Sequence, residues 1–289
     1  MNRLQHSVSA TKRALQISRY QLFAFVEGTS DKYFYGELCG ALCNGETRYV
    51  IYSAAEAPFC KNEIENKKLS GKSGLLELFG CFQRYALLSI ELKGKNKVAA
   101  FFLDKDIDDF LGKKIASEHL IYTKYYDMES HIFMDGDIIK GAASATNKSA
   151  QEVRENIPDA DDWMYQVADR WKQYVKICFF AVKSGAATGE YRYGKELLPK
   201  IFDATYENNF LSDAVYMECS GLIDRLYKQK EYGYVFKGKW YSGLLDRELT
   251  GAKGEHEQIV RCIQATLDFN AAWTQHFKQP LGTLLTKLQ

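Results

Sequence analysis

Phe23-Ala-Phe-Val-Glu-Gly28 is one of two stretches that decide the fold of this chain, and Ala99-Ala-Phe-Phe-Leu-Asp-Lys-Asp106 is the other. Each is an apolar run typical of a buried strand. Each stops abruptly at carboxylates, which are Glu27 in the first stretch and Asp104 with Asp106 in the second. Parallel α/β sheets carry their functional groups at the carboxyl ends of the strands, where these three acids would lie.

The three acids together predict a metal site. Side chains alternate between the two faces of a strand, so Asp104 and Asp106 project the same way if the extended backbone continues through them. Clustered carboxylates repel one another unless a divalent cation neutralises them, and hard oxygen ligands suit Mg²⁺ or Mn²⁺. The pattern therefore predicts a metal-dependent site for phosphate chemistry.

Strands and helices alternate over roughly residues 21–135. We predict strands over about 21–27, 48–53, 97–103 and 119–123, and helices over Asp31–Cys43, over Leu75–Leu92 and from Asp127 to about Phe133. This alternation predicts parallel βαβ units. We expect an α/β fold with a mostly parallel four-stranded sheet flanked by helices.

The second half of the chain reads as mainly helical. Helical character covers Ser149–Asn156, Trp163–Phe180, Gly194–Phe202, Asp213–Lys228 and Glu255–Phe277. The whole chain holds only four Pro, which suits long helical segments. We predict a metal-dependent domain over residues 1–140 and a helical domain over 141–289 for partner binding, dimerisation or substrate contacts.

Composition excludes several classes of protein. Among 289 residues, 38 Lys and Arg balance 37 Asp and Glu, so any binding of nucleic acid must use local patches. Residues of hydrophobic type make up 46% of the chain and aromatic ones 14%, which indicates a folded protein rather than a disordered one. No apolar stretch approaches the length of a membrane span.

The seven Cys form no CxxC pair and no Cys/His zinc pattern. The N-terminal stretch also lacks the features of a secretory signal. We therefore expect free thiols in a reducing cytoplasm.

Two other signals fail. Gly71-Lys72-Ser73 suggests a nucleotide-binding loop, but the P-loop needs Gly at position 66, which is Asn66. Lysines around this stretch would contact a nucleic-acid backbone or lie in a solvated loop. The five His form no metal-binding motif. His131 lies two residues after Glu129, so it is either near the predicted site or structural, and the structural role is the commoner one for such a His.

The spacing of the acids resembles the TOPRIM pattern, which is shared by topoisomerases, bacterial primases and nucleases of the OLD type. The run Phe25-Val-Glu-Gly-Thr-Ser-Asp-Lys-Tyr-Phe34 resembles the OLD-type version, and so does Thr123-x-Tyr-Tyr-Asp-Met-Glu129. A weaker likeness, Phe236-Lys-Gly-Lys-Trp240, lies in the helical half. Among these families the chain is most similar to the TOPRIM nuclease subunits of the PARIS anti-phage defence systems.

The resemblance implies a TOPRIM-like, Rossmann-like fold and a function. In PARIS systems an ABC-type ATPase sensor subunit holds the nuclease, which acts as a toxin when released. The resemblance thus implies a Mg²⁺-dependent endoribonuclease that cleaves tRNA. The even net charge and abundant aromatic residues suit protein contacts if some of the rings are exposed, so we also expect a homodimer when the chain is free. Two alternatives stay open: an OLD-type DNA endonuclease, and a catalytically silent TOPRIM-like module that binds an ATPase or nucleic acid.

Roles follow for the acids. Asp104 and Asp106 would bind the metal directly, and Glu27 would be a third ligand or the acid–base group for the attacking or leaving oxygen. Asp31 and Glu129 would complete a second cation site. The alternative for Asp31 and Glu129 is a favourable position in the first turn of a helix, and an isolated Asp-x-Asp is commonly a solvated turn.

A lysine would offset the charge that builds on the phosphate, and Lys239 or its neighbour Lys237 is the candidate. The alternative for both lysines is an exposed Lys-Gly-Lys turn.

Overall fold

The structure is a computed structural model that describes residues 7–43, 45–60, 69–92, 95–185, 212–250 and 256–289, without the side chain of His256. The chain divides into two compact units. The first comprises Met1–Asp104, Ile115–Thr123 and Phe269–Gln289, and the second comprises Lys105–Lys114 and Lys124–Asp268. Each unit is described by itself, and the predicted domain boundary near residue 140 stays a prediction.

The described residues form strands β1 (Leu22–Val26), β2 (Tyr49–Ser53), β3 (Ser89–Ile90), β4 (Lys97–Leu103) and β5 (Leu120–Tyr122). They form helices α1 (Val8–Ile17), α2 (Asp31–Cys43), α3 (Gly71–Arg84), α4 (Met128–Asp135), α5 (Ile138–Thr146), α6 (Ala150–Asn156), α7 (Ala160–Arg170), α8 (Lys172–Ser184), α9 (Ala214–Lys228), α10 (Gly238–Thr250), α11 (His256–Gln264) and α12 (Gln275–Thr286). The prediction of a mixed α/β fold with a helical second half is confirmed.

All five described strands lie in one open sheet of the first unit, in the order β2-β1-β4, with β3 and β5 both paired to β4. The β1–β2, β1–β4 and β4–β5 pairs are parallel, whereas β3 is antiparallel to β4. The four predicted strands are all present. The fifth, β3, was not predicted, because two residues carry no readable alternation.

The helix predicted over Leu75–Leu92 was too long. It ends at Arg84 because Ala86 takes a left-handed φ of 53°, which turns the chain into β3. Similarly, the helix predicted over Trp163–Phe180 is divided into α7 and α8 at Trp171. The segment predicted over Glu255–Phe277 ends as α11 at Gln264, before α12 begins at Gln275.

Other helix predictions hold or lie outside the described residues. Ser149 and Asp213 act as N-caps of α6 and α9, so the predictions for 149–156 and 213–228 are confirmed. The predicted helix over 194–202 falls on residues that the structure does not describe.

An aromatic cluster forms the core of the first unit on one face of the sheet. The Phe25 ring on β1 stacks on Phe101 of β4, with centroids 4.8 Å apart, and meets Phe82 of α3 edge-on at 5.1 Å. Such pairs favour offset or edge-to-face geometry and stabilise the fold beyond the area they bury. This cluster fixes α3 against the two central strands.

The second unit is built from helices in the described ranges. Ile263 of α11 lies against Gly141 of α5, where an added Cβ would come within 2.5 Å of the Ile263 Cα. On another face, the Tyr241 ring of α10 lies 5.4 Å from the Phe133 ring of α4. The second contact positions the first turn of α10 beside α4.

Two cysteines depart from the prediction of free thiols. The structure joins Cys60 and Cys81 in a disulfide, and only tertiary packing brings them together, because they lie 21 residues apart in sequence. The remaining five cysteines are not in disulfides. Burial raises the pKa of Cys178 to about 12 and raises that of Cys39 further, which makes both thiols poor nucleophiles.

No helix among the described residues combines the length and apolar character needed to cross a membrane.

Candidate functional site

The carboxyl edge of the sheet brings Glu27 and Asp104 together. They are the first residues after β1 and β4, which are parallel neighbours with Phe25 opposite Phe101. The Glu27 Oε1 atom accepts a hydrogen bond from the Asp104 backbone N–H at 2.9 Å. The predicted convergence of these two acids at one edge is therefore seen in the first unit.

Lys72 reaches the same edge from α3. Its Nζ atom donates to the Asp104 carbonyl oxygen at 2.7 Å. The chain leaves the carboxyl end of β2, so the helix that follows starts at that edge and runs back across the sheet. A lysine in the first turn of this helix therefore lies near the ends of the strands.

Asp31 holds the turn between β1 and α2. Its Oδ2 atom accepts from the Gly28 N–H at 2.8 Å, and its Oδ1 atom accepts from the Ser30 hydroxyl at 2.9 Å. As the first residue of α2, it also places negative charge at a helix N-terminus, where the dipole favours it. These contacts support the structural alternative for Asp31.

Another acid at this edge was missed by the sequence analysis. Glu56 follows β2, and its carboxylate bonds to the Lys32 ammonium at 2.9 Å and to the Ser53 hydroxyl at 3.0 Å. The hydrogen bond from Lys32 lowers the pKa of Glu56, with further help from Ser53, against a smaller opposing effect of burial. This pairing gives Glu56 a role in fixing α2 beside β2.

Asp106 does not continue the strand. β4 ends at Leu103, and Asp106 has a left-handed φ of 51°. The condition for the alternation argument, an extended backbone through Asp106, is therefore not met. In the second unit the Asp106 N–H donates to the Tyr126 carbonyl at 2.8 Å, which fixes this turn.

The N-terminus of α4 supports the Lys-Gly-Lys segment. Asp127 is the buried N-cap, and its Oδ1 atom accepts from the Ser130 N–H at 2.8 Å and from the Gly238 N–H at 3.0 Å. A Cβ on Gly238 would lie 2.1 Å from the Ser130 nitrogen, so only glycine fits. The segment is thus docked on α4 and is not an exposed turn.

This docking places a lysine beside Glu129. The Lys239 Nζ atom lies 3.4 Å from Glu129 Oε1, with the lysine side chain 47% exposed and the Glu129 side chain 13% exposed. An exposed lysine head can still contact a substrate phosphate. The structure thus brings together Glu129 and Lys239 within the second unit, as it does Glu27 and Asp104 within the first.

Lys237 has a different environment. Its ammonium lies 5.3 Å from the Tyr126 ring centroid and 5.8 Å from that of Trp240. Burial lowers the pKa of Lys237, and the negative charges of Asp127 and Asp106 oppose this effect. Because its head is held among these groups, Lys237 is less suited than Lys239 to meet a substrate.

The side chains at the carboxyl edge of the sheet have the chemistry that a hard divalent cation requires. Glu27 and Asp104 offer carboxylate oxygens, which are the ligands Mg²⁺ and Mn²⁺ prefer. In neither unit do the described residues arrange three His, Cys, Asp or Glu side chains as a group able to hold a metal. The assignment of Mg²⁺ therefore depends on the donor chemistry.

Comparison with known proteins adds no family. The chain matches no model of a known protein family, and no curated protein is significantly similar to it in sequence.

Besides Glu56, three residues that build these two places in the structure escaped the sequence analysis. Lys72 was considered only in a failed P-loop and among lysines that would contact a nucleic-acid backbone or lie in a solvated loop. The helix after β2 was predicted to begin at Leu75 rather than at Gly71, which left Lys72 outside its first turn. Asp127 was seen only as a helix start. Gly238 carried no signal, because its requirement arises from close contact with Ser130.

Proposed function

We propose that this chain is a Mg²⁺-dependent TOPRIM-type endoribonuclease. It acts in the cytoplasm as the toxin effector of an anti-phage defence system and cleaves tRNA after release from an ABC-type ATPase sensor. The observation that carries the proposal is the hydrogen bond between Glu27 and the Asp104 backbone at the carboxyl edge of β1 and β4. It supports a shared role for the two acids that define the sequence motif.

The roles of the residues follow from their chemistry. When bound, the divalent cation supplies stabilisation of the charge on the phosphate and on the leaving oxygen. Asp104 contributes a carboxylate ligand, and Glu27 contributes either a ligand or the acid–base group for the attacking or leaving oxygen. Lys239, half-exposed beside Glu129 in the second unit, is the candidate to offset negative charge on the substrate.

As a substrate, we favour a folded RNA over duplex DNA. The formal net charge is +1, so no broad positive field draws in the backbone of any nucleic acid. The loops of tRNA present unstacked bases that aromatic rings can stack on, whereas the bases of duplex DNA are stacked and paired. The choice of tRNA itself rests on the resemblance to PARIS nucleases.

The central test is the substitution Glu27→Gln. The amide keeps an acceptor oxygen for the Asp104 N–H and nearly the same volume, but it loses the negative charge and the acid–base capacity. We expect expression of the wild type, in its activated form, to arrest growth and to cleave a small set of tRNAs. We expect Glu27→Gln to be harmless, with a loss of activity of about 10²-fold or more. Sequencing of RNA ends after induction measures the effect.

Glu37→Gln is the matched control, because Glu37 is an exposed acid on α2. It should be as toxic as the wild type. Intact tRNA with fragmented plasmid would support the DNA alternative instead. Toxicity that survives Glu27→Gln would refute the catalytic role and favour a binding module.

The proposal also includes partners. A toxin-like nuclease must be held inactive, so we expect a complex with the ATPase subunit and a homodimer once the chain is free. Light scattering coupled to size-exclusion chromatography checks both states. A chain that stays monomeric at micromolar concentration and binds no ATPase would contradict this part.

A further inference from the structure

The backbone N–H and the backbone carbonyl of Asp104 each form a hydrogen bond with a side chain. The Asp104 N–H donates to Glu27 Oε1 at 2.9 Å, and the Asp104 carbonyl accepts from Lys72 Nζ at 2.7 Å. Since β4 ends at Leu103, strand pairing does not fix the backbone at this residue. These two contacts therefore help to fix the backbone from which the Asp104 carboxylate projects.

The packing of α3 against the sheet places Lys72 beside Asp104. Leu75 and Phe79, one and two turns further along α3, are buried, and the Phe79 ring meets Phe101 of β4 edge-on at 5.4 Å. Gly71 begins the helix with a left-handed φ of 62°, a conformation that glycine adopts without strain. α3 thus packs against β4, and Asp104 directly follows this strand.

We infer that Lys72 is a positioning residue for the metal ligand Asp104. It holds the Asp104 carbonyl so that the carboxylate is presented at the carboxyl edge. This inference deepens the proposed function and rests on it. Partners that orient a metal ligand commonly matter almost as much as the ligand itself.

Removal of the Lys72 ammonium changes the affinity for the metal in one direction if Lys72 positions Asp104, and in the other direction if Lys72 acts only through its charge. A lysine that is merely a nearby positive charge repels a cation, so its removal would tighten metal binding. A lysine that positions a ligand has the opposite effect, because its removal lets the ligand move. The direction of the change therefore identifies the role.

The experiment measures Mn²⁺ binding to the full chain by calorimetry, with Lys72→Met as the variant. We expect the Kd to rise about tenfold, in line with the loss of an outer partner of a metal ligand. Arg84→Met is the matched control, since it removes a positive charge from the last turn of the same helix, where Arg84 is exposed. Its Kd should equal that of the wild type.

Lys72→Arg keeps the charge but reaches the carbonyl with a planar group, so its Kd should lie between those of the wild type and Lys72→Met. Thermal unfolding in EDTA checks the fold. If Lys72→Met fails to fold, Lys72→Arg decides by itself: a raised Kd supports the inference, and an unchanged Kd overturns it.

Two failures are distinguishable. A wild type that binds no Mn²⁺ overturns the proposed metal-dependent function together with this inference. A wild type that binds Mn²⁺, with a folded Lys72→Met variant that binds equally or more tightly, overturns the role of Lys72 alone.

Discussion

Glu27 and Asp104 each occupy the first position after a fully buried strand, and this position explains how carboxylates can lie beside an apolar core. A residue one step earlier would be enclosed on both faces, where an unpaired charge is costly. At the strand end the Glu27 carboxylate can bond to the Asp104 N–H, which has left the strand ladder. A carboxylate and a backbone donor at the strand end thus stabilise each other.

His119 allows a prediction about pH at the same scale. It is buried at the start of β5, and its Nδ1 atom donates to the Ala99 carbonyl at 2.7 Å. Burial lowers its pKa, against the opposing effects of that carbonyl and Glu118. As the pH falls below the unfolded value of about 6.5, the unfolded chain binds a proton that the folded chain resists, so stability decreases.

His119→Asn keeps an N–H donor but does not titrate. We expect the free energy of unfolding of the wild type to fall more steeply than that of the variant between about pH 7.5 and pH 5. Urea titrations across this range measure both slopes. Equal slopes would show that His119 is not a source of acid sensitivity.

At the scale of elements, the contact between α4 and α10 depends on Gly238. A Cβ at this position would lie 2.1 Å from the Ser130 nitrogen and 2.2 Å from the Glu129 carbonyl carbon. Backbone atoms cannot give way as a flexible side chain can. We expect Gly238→Ala to lower the free energy of unfolding by about 2–3 kcal/mol.

Gly243→Ala is the control within the same helix. Outside the backbone of α10 itself, no atom of the described residues lies within 4 Å of a Cβ built at Gly243, so alanine should stabilise α10 by up to about 1 kcal/mol through its helix propensity. Urea unfolding of the two variants should give opposite signs. Two variants of equal stability would refute the close packing of α10 on α4.

Local pattern was enough to predict the elements that carry the motif. Continuous apolar runs predicted β1 and β4, and the change from buried strand to carboxylate placed Glu27 and Asp104 at their ends. Helix starts with a capping side chain, such as Ser149 and Asp127, were also readable, because the cap and the turn it stabilises are neighbours in sequence.

Residues with a left-handed backbone and very short strands could not be predicted from local pattern. Ala86 and Asp106 both take a left-handed φ although neither is glycine. At Ala86 the local hydrogen bonds of a helix end, from Ala86 to Gln83 and from Leu87 to Phe82, accompany this conformation, but no glycine marks the position in the sequence. At Asp106 the backbone N–H bonds to the distant Tyr126 carbonyl, which no local pattern predicts. β3 is too short for its pattern to be recognised and exists only because β4 offers an edge. The sequence therefore predicted the sheet but not its antiparallel strand.

At the scale of the molecule, neither unit is a single continuous stretch. In the first unit the Phe34 ring of α2 meets Phe269 at 5.5 Å and Phe277 at 6.2 Å. Helical periodicity cannot reveal a contact between residues so distant in sequence. The last segment of the chain is thus part of the core around the sheet, a feature that only the folded chain displays.

The disulfide gives a final prediction at this scale. Cys60 and Cys81 close a loop with a sequence separation of 21, and both are buried in the first unit. A cross-link of this length restricts the unfolded chain, so we expect reduction to lower the free energy of unfolding by about 3 kcal/mol. Urea titrations with and without dithiothreitol measure the change.

The variant with Cys60→Ala and Cys81→Ala should be insensitive to dithiothreitol, whereas Cys39→Ala should respond to it as the wild type does. Thiol titration of the denatured wild type should find the five unpaired cysteines before reduction and all seven after it. Seven reactive thiols in protein never exposed to reductant would contradict the cross-link, and the stabilisation of the first unit would then come from packing alone.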